Sequence, residues 1–394
     1  MSSTNYISWS AQKDAPSIAI KSAKDAHFVL EDGSRLVDFI STSFQSHFGH
    51  SNQRIISAIK SQLDVLPITS PKGVFSLREK ASQSLLDLLS LGGGKLFYTV
   101  SGSESVENAL KMARQIKGKQ KVLARRVCYH GASLGALSVT GDWRNDAHKT
   151  IDDWTVRIPE PSDDPDCSKT RAVFEQHKGE IAAVILETIT GANGVYIPEK
   201  KWWDGVVSLC KEFDVFLIID EVLCGFGRCG KNFAFQNFGL KPDFVCMSKG
   251  ITGGYIPFGA VWTSKEVADF YEDETLSCGL TNYAHPLGLA ALDEVCKILR
   301  DQTFCSQLKD LEECFEQQME EFRKLDFVKE VRSIGLLSAV EFKEGFSASW
   351  QSFIDRGVYL LVKPTYLCFS PPFIMKKQEL TDTCGIIREV LCSS

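Results

Sequence analysis

One lysine follows a short apolar segment and is itself followed by glycine turns. Val245–Gly250 reads Val-Cys-Met-Ser-Lys-Gly, and Gly253 and Gly254 come soon after. A buried strand here would place Lys249 at the strand's carboxyl end, the edge where α/β sheets bind ligands. Removal of water from the amine lowers its affinity for a proton, as a lysine that forms a Schiff base requires. An ordinary surface lysine at a strand end would have the same sequence.

In two further segments, an apolar strand is followed by groups that attract ions. In Thr99–Glu104 a strand meets a glycine turn and opens a helix, whose free N–H groups suit an anion such as phosphate. In Ile218–Val222 a strand ends with carboxylates, and Asp220 would suit the protonated nitrogen of a pyridine ring. An unliganded helix cap and a salt bridge explain the same residues separately.

An aromatic residue and a histidine precede a third glycine turn. Tyr129 and His130 stand between Cys128 and Gly131. The aromatic side chain is placed to stack on a flat heteroaromatic ring. The alternative is that Tyr129 belongs to the core and His130 to the turn.

The elements that must position these residues follow from the apolar pattern. Apolar runs alternate with amphipathic helical stretches through the middle of the chain, which indicates a largely parallel sheet covered by helices. The predicted strands are Lys95–Val100, Lys121–Val127, Ala182–Glu187, Phe216–Asp220 and Phe244–Met247. The predicted helices include Glu104–Lys117 and Lys201–Phe213. We expect Ser103 to cap the first helix, with Glu104 near the positive end of its dipole.

The two ends of the chain have a different pattern, with short strands and one long helix. The elements predicted there are the strands Ala26–Leu30, Leu36–Ile40, Leu336–Phe342, Val358–Leu361 and Leu367–Phe369 and the helix Leu308–Leu325. The sequence thus predicts an α/β fold with a large, mostly parallel mixed sheet in residues 50–295. A small α+β domain would combine residues 1–49 with residues 296–394.

Composition argues against several classes of protein. The net charge of −6 offers no basic excess for nucleic acid. Thirteen cysteines without a CxxC pair favour reduced thiols over a disulfide framework or a zinc site. Met1–Asp14 lacks the pattern of a signal peptide, and the apolar runs are too short for a membrane span. We expect a cytoplasmic protein that binds no metal, nucleic acid or membrane.

Taken together and in order, the motifs resemble those of class III aminotransferases, which are fold-type-I pyridoxal-phosphate enzymes. The matching segments are Ser101–Glu104, Tyr129–Gly131, Asp220–Val222, Gly225–Arg228, Ser248–Gly250 and Thr281–Pro286. The resemblance extends from about Val29 to Val390. It implies pyridoxal 5'-phosphate as the cofactor and a homodimer with its active site at the interface.

The resemblance also assigns roles to individual residues. Lys249 would hold the cofactor as a Schiff base and shuttle a proton, while Asp220 would pair with the ring nitrogen. Glu187 would orient the site from beneath, and Thr281 would reach the phosphate of the neighbouring subunit. The residues implied to bind the cofactor are Ser101, Gly102, Ser103, Tyr129, His130, Glu187, Asp220, Val222, Lys249 and Thr281. Among these, Gly102 and Ser103 would donate to the phosphate, and Val222 and Tyr129 would cover opposite faces of the ring.

The residues around the substrate depart from the family pattern. Leu223 replaces a glutamine that contacts the phenolic oxygen of the cofactor in ornithine and 4-aminobutyrate members. Cys368 stands where those members have the arginine that clamps an α-carboxylate, and Ala192 replaces the acid that pairs with it. Loss of one partner alone would leave a buried charge unpaired, at a cost on the order of 3–5 kcal/mol. Both are absent, so we expect 2-oxoglutarate to be a poor acceptor, with Lys363 the nearest cation for a carboxylate.

The implied activity is a ping-pong transamination from a primary amine or ω-amino acid to an oxo acid. A diaminopelargonate-synthase-like branch is the subfamily alternative, with Lys363 beside Pro364 near that branch's carboxylate-binding Arg-Pro, and with Trp9 in its N-terminal aromatic motif. A racemase, aminomutase or decarboxylase would share the cofactor and the fold. A relative that kept the fold and lost catalysis is the non-enzymatic alternative.

Overall fold

The computed structural model of the protein describes residues 4–148 and 152–393. In chain order the strands are β1 (Ile20–Lys24), β2 (His27–Leu30), β3 (Arg35–Asp38), β4 (Lys95–Thr99), β5 (Lys121–Ala124), β6 (Thr155–Arg157), β7 (Ile181–Glu187), β8 (Phe216–Asp220), β9 (Phe244–Met247), β10 (Gly259–Thr263), β11 (Val328–Ile334), β12 (Leu337–Phe342), β13 (Val358–Tyr359), β14 (Leu361–Lys363) and β15 (Tyr366–Phe369). The helices are α1 (Ser41–Phe44), α2 (Gln53–Val65), α3 (Ser76–Leu89), α4 (Gly102–Lys117), α5 (Leu134–Val139), α6 (Ser168–Gln176), α7 (Lys200–Glu212), α8 (Lys265–Asp273), α9 (Pro286–Arg300), α10 (Gln302–Arg323), α11 (Trp350–Asp355) and α12 (Lys377–Cys392). All residues of α1 have positive φ, so this element is a single left-handed turn.

The largest sheet has seven strands among the described residues, in the order β4-β10-β9-β8-β7-β5-β6. Strand β10 runs antiparallel to both of its neighbours, and the pairs from β9 through β6 are parallel. Every residue of β7, β8, β9 and β10 is buried, as expected for strands covered by helices on both faces. The mostly parallel mixed sheet predicted from the sequence is confirmed.

Strand β5 is shorter than predicted and ends at Ala124. The backbone N–H groups of Arg126 and Val127 donate to the Glu160 carboxylate at 3.0 and 2.8 Å. The chain has therefore left the sheet before the end of the segment that we assigned to this strand.

The start of α4 also differs from expectation, because Ser101 rather than Ser103 is the cap. Ser101 is extended, and its Oγ accepts a hydrogen bond from the Glu104 N–H at 3.2 Å. Gly102 is the first helical residue, so Ser103 lies inside the first turn. The helix ends at Gly118, which adopts the left-handed conformation typical of a helix terminus.

Two smaller sheets contain strands from the ends of the chain. Strand β3, near the N-terminus, pairs in parallel with β13, and the other sheet has the order β11-β12-β15-β14. The predicted strand Val358–Leu361 is wrong, because Tyr359 pairs with Asp38 in one sheet and Leu361 pairs with Cys368 in the other. The change of partner occurs at buried Leu360 and splits the segment in two. The domain limits at residues 49/50 and 295/296 stay predictions.

No helix in the described part of the chain is long and apolar enough to cross a membrane. Within residues 4–148 and 152–393, no group of three or more His, Cys, Asp or Glu side chains is placed to hold a metal ion. All thirteen cysteines lie in this part of the chain and are free thiols.

Candidate active site

A cavity of about 190 Å³ opens at the carboxyl ends of β8 and β9, beside the first turn of α4. This is the edge at which parallel sheets bind ligands. The residues that line it are Ser101, Gly102, Ser103, Tyr129, His130, Gly131, Glu187, Ala192, Asp220, Val222, Leu223, Ser248 and Lys249. The four segments whose chemistry was considered first thus meet at one site, together with Glu187 and Ala192.

Lys249 lies two residues after β9 and is half-buried against the cavity. Burial lowers the pKa of its amine, and the Asp220 and Glu187 carboxylates oppose this shift. Its backbone φ of 47° is in the left-handed region, which is costly for a residue with a side chain and recurs at functional sites. The Nζ atom lies 5.9 Å from the centre of the Phe44 ring in α1. A partly desolvated amine in a fixed position suits the covalent attachment of a carbonyl compound.

Asp220 ends β8 and is held on both carboxylate oxygens. Oδ1 accepts the Val222 N–H at 2.9 Å, and Oδ2 lies 2.8 Å from Nδ1 of His130. Burial disfavours the charged form of His130, but contacts with Cys128 and Asp220 outweigh it and raise the pKa of His130 to about 10. The histidine therefore fixes the direction of the Asp220 carboxylate.

Glu187 ends β7 and connects three segments of the site. Its Oε1 accepts the Tyr129 N–H at 3.0 Å, and its Oε2 accepts the Gly191 N–H at 2.8 Å. Burial raises the pKa of the Glu187 carboxyl, while the neighbouring His130 acts to lower it. These bonds fix the backbone on which the Tyr129 ring and the Gly191 turn are carried.

The N-terminus of α4 has the properties of an anion site. The N–H groups of Gly102 and Ser103 lie in its first turn, where a helix has no internal acceptor for them. A Cβ atom at Gly102 would lie 2.9 Å from Cγ1 of Val222, so the backbone can approach this wall only because residue 102 is glycine. Ser103 Oγ accepts the Ala132 N–H at 3.1 Å, which fixes the neighbouring turn. Amine, carboxylate, aromatic ring and helix N-terminus together fit pyridoxal phosphate.

Three of the sequence-predicted residues lie outside the lining of this cavity. Cys368 in β15 is fully buried in an apolar cluster that also contains Leu223 and contacts Ala192. Its strand pairs it with Ala339 of β12, and it is not among the residues that line the cavity, so a role of Cys368 in substrate binding stays a prediction. Lys363 in β14 is partly buried, with Nζ 5.8 Å from the centre of the Trp143 ring. Thr281 is exposed in the turn before α9.

One charged residue near the site was missed by the sequence reasoning. The guanidinium of Arg144 lies 4.6 Å from the centre of the Tyr129 ring and forms an ion pair with Asp142. The available signal was the acid-aromatic-base triplet from Asp142 to Arg144.

Comparison with known proteins places the chain in a family. The model of the family "Aminotransferase class-III" matches residues 8–391. Acetylornithine aminotransferase of Bacillus subtilis is 31% identical, with 95% of each chain covered. The omega-aminotransferase of Caulobacter vibrioides is 29% identical, covering 94% of this chain and 93% of the relative.

A solved structure is similar over the same length. The taurine:2-oxoglutarate aminotransferase of Bifidobacterium kashiwanohense, in complex with pyridoxal phosphate and glutamate, has a TM-score of 0.92 and 31% identity. The match covers 98% of this chain and 95% of that one. The chain belongs to the class-III aminotransferases, the pyridoxal-phosphate enzymes that transfer amino groups.

Proposed function

We propose that the chain takes the amino group from a terminal primary amine or an ω-amino acid and passes it to an oxo acid. The observation that carries this proposal is the convergence of Lys249, Asp220 and the α4 N-terminus on one cavity. Bound pyridoxal phosphate supplies the carbonyl carbon and the electron sink for the reaction.

The side chains of the site then have separate tasks. Lys249 attaches the cofactor through Nζ and carries a proton during each half of the reaction. Asp220, oriented by His130, keeps the ring nitrogen protonated. Val222 and Tyr129 cover the two faces of the ring. The N–H groups of Gly102 and Ser103 bind the phosphate.

The wall beside the cavity supports a substrate without a carboxylate on its reacting carbon. Ala192 and Leu223 contribute uncharged lining, and Cys368 belongs to the apolar cluster that they pack in. An α-carboxylate there would lose its water without gaining a bidentate partner. The poor use of 2-oxoglutarate and the diaminopelargonate-synthase-like branch stay predictions.

A half-reaction experiment tests the proposal. The holoenzyme is mixed with one amine donor and no acceptor, and the visible absorbance band of the cofactor is followed. Terminal amines and ω-amino acids should bleach the band stoichiometrically, and pyruvate should restore it. A racemase, aminomutase or decarboxylase would leave the band largely intact during turnover, and a silent relative would not respond to any donor. Either result would overturn the proposed function.

We also propose a homodimer whose active site is completed at the interface. Thr281 is exposed and lies outside the cavity of its own chain, as a residue serving the partner would. Large exposed apolar side chains lie close together in sequence at Val65, Ile68 and Val74. A cytoplasmic location accords with thirteen free thiols, since oxidising compartments favour disulfides.

A further inference from the structure

A loop beside the active site carries an arginine among three aromatic rings. The guanidinium carbon of Arg144 lies 4.6 Å from the ring centre of Tyr129, 5.0 Å from that of Trp143 and 5.3 Å from that of Trp9. Trp9 and Trp143 pack edge to face at 5.8 Å and keep 46% and 51% of their surface exposed. The rings fix the cation while leaving this aromatic box open to solvent.

The same arginine has a counter-ion that is itself held in place. Asp142 forms an ion pair with Nη1 of Arg144, and its Oδ2 accepts from Nδ2 of Asn193 at 3.1 Å. The Arg144 side chain is 12% exposed and that of Asp142 is 9% exposed. Nε of Arg144 is buried and has no hydrogen-bond partner among the described residues. The Nε–H of Arg144 is therefore an unused donor, and a substrate anion of the same charge could replace the Asp142 carboxylate beside it.

Asp142 is bonded to the neighbour of one of the two positions at which the family's usual charged pair is missing. Asn193 follows Ala192, the position that has lost the acid, and the Ala192 carbonyl accepts from the Tyr366 hydroxyl at 3.0 Å. Burial raises the pKa of Tyr366, and the charge of Arg144 acts against this shift. Asp142 and Arg144 thus supply, from a different loop, an acid and a base beside the same wall.

Lys363 adds a second cation near the Trp143 ring. Its Nζ lies 5.8 Å from the centre of that ring. Burial lowers the pKa of Lys363, and the positive charge of Arg144 lowers it further. Arg144 and Lys363 thus lie 5.0 and 5.8 Å from the centre of the Trp143 ring, and an anion bound there would relieve the repulsion between their charges.

We infer that Arg144 binds the anionic end, carboxylate or sulfonate, of an ω-amino substrate whose amine reacts at Lys249. Asp142 holds the guanidinium when no such anion is present. The inference rests on the proposed function and narrows its substrate class. A planar guanidinium with parallel donors matches the two oxygens of a carboxylate, and the aromatic rings limit the entropy lost on binding.

The first test measures binding without turnover. Holoenzyme is titrated with butyrate and, separately, with propanesulfonate, which have the anion but no amine, and affinity is read by calorimetry. Arg144→Gln should lower the affinity for the preferred anion by about 10- to 100-fold, and Arg144→Lys should lower it by less. Arg126→Gln is the matched control, because the Arg126 side chain is exposed and its backbone N–H binds Glu160. Equal affinity in the Arg144→Gln and Arg126→Gln variants would overturn the inference.

The second test removes the charge of the counter-ion, Asp142, instead of the charge of Arg144. Asp142→Asn keeps an Oδ1 acceptor for the Arg144 N–H but removes the competing charge. The ratio of kcat/KM for 4-aminobutyrate to that for butylamine should rise about three- to tenfold in Asp142→Asn and fall at least tenfold in Arg144→Gln. If both variants lower the ratio, or if the ratio stays constant while both rates fall, Arg144 only supports Tyr129 and the inference is wrong.

Folding and the proposed function are checked separately. Thermal melting shows whether Arg144→Gln folds. If it does not, the inference is tested by Arg144→Lys and Asp142→Asn, in which the ratio of kcat/KM for 4-aminobutyrate to that for butylamine should fall and rise, respectively. If the wild type binds butyrate but none of the amines bleaches the absorbance band of its cofactor, the transaminase proposal fails while the anion site stands.

Discussion

At the scale of single residues, Lys249 provides the most direct test of the site. Lys249→Ala should abolish transamination and the adduct that borohydride fixes to the protein, because it removes the attachment point and the proton carrier. The fold should survive, since a shorter apolar side chain replaces a half-buried amine. Peptide mapping after borohydride treatment gives the answer, with exposed Lys241→Ala as the control. Cofactor still fixed to the same peptide in the Lys249 variant would exclude Lys249 as the anchor.

The charge of Asp220 is a second residue-scale prediction. Asp220→Asn should keep the His130 contact and the bond from the Val222 N–H but should no longer hold the ring nitrogen protonated. We expect kcat to fall by several orders of magnitude with the cofactor still bound. The control is Asp204→Asn, which changes an exposed acid paired with Lys200. Retention of more than about a tenth of kcat, a barrier change of about 1.4 kcal/mol, would contradict the role.

The residues that sequence could identify are those with a fixed order along the chain. Lys249, Asp220 and Tyr129 each follow a recognisable strand or precede a glycine turn, and the structure brings all three to one cavity. Arg144 could not be found this way, because its surroundings come from Trp9 and other distant segments. The role proposed for Arg144 depends on contacts between side chains, and the spacing of residues along the sequence does not predict those contacts.

At the scale of elements, the N-terminus of α4 depends on the absence of a side chain at Gly102. A methyl group there would lie 2.9 and 3.1 Å from the Cγ atoms of Val222, so Gly102→Ala should displace Val222 or the helix start. We expect the cofactor to dissociate at least about tenfold more readily, or about 1.4 kcal/mol weaker binding. Equilibrium dialysis measures this change.

A matched glycine is available within another helix. Apart from the backbone of its own helix and its chain neighbours, no described atom lies within 4 Å of the Cβ position at Gly385 in α12. Gly385→Ala should therefore leave cofactor affinity unchanged and stabilise the fold by about 0.5–1 kcal/mol. Equal cofactor affinity in both alanine variants would show that the close approach at Gly102 is unimportant.

Two buried apolar strands were predicted to the residue, whereas the equally buried strand β10 was missed and several strand ends and caps were misplaced. Phe216–Asp220 and Phe244–Met247 have the predicted limits because every residue of each is buried. Helix α10 begins at Gln302 rather than Leu308, since Asp301 accepts hydrogen bonds from two N–H groups of its first turn. The split at Leu360 arises because the residues before and after it pair with strands of two different sheets, and those partners are known only from the folded structure.

At the scale of the whole molecule, the apolar surface of one chain bears on its assembly. Val65, Ile68 and Val74 have 79%, 72% and 74% of their surface exposed, all near the segment between α2 and α3. Large apolar side chains grouped on a surface mark a contact with another molecule, and burying each contributes roughly 1.5–3 kcal/mol. A second copy of the chain is the partner that the proposed function requires.

We therefore expect the double variant Ile68→Asp/Val74→Asp to shift the protein from dimer to monomer, with the dissociation constant raised at least about 100-fold. Burial of an unpaired carboxylate opposes association, and both copies carry both changes. Sedimentation velocity across a range of protein concentrations measures the shift. Ile20→Asp is the control, because Ile20 is also exposed (44%) but lies in β1. Since Thr281 is proposed to serve the partner's phosphate site, cofactor affinity should fall together with dimerisation. A wild type that sediments as a monomer at micromolar concentration while fully active would contradict the proposed dimeric site.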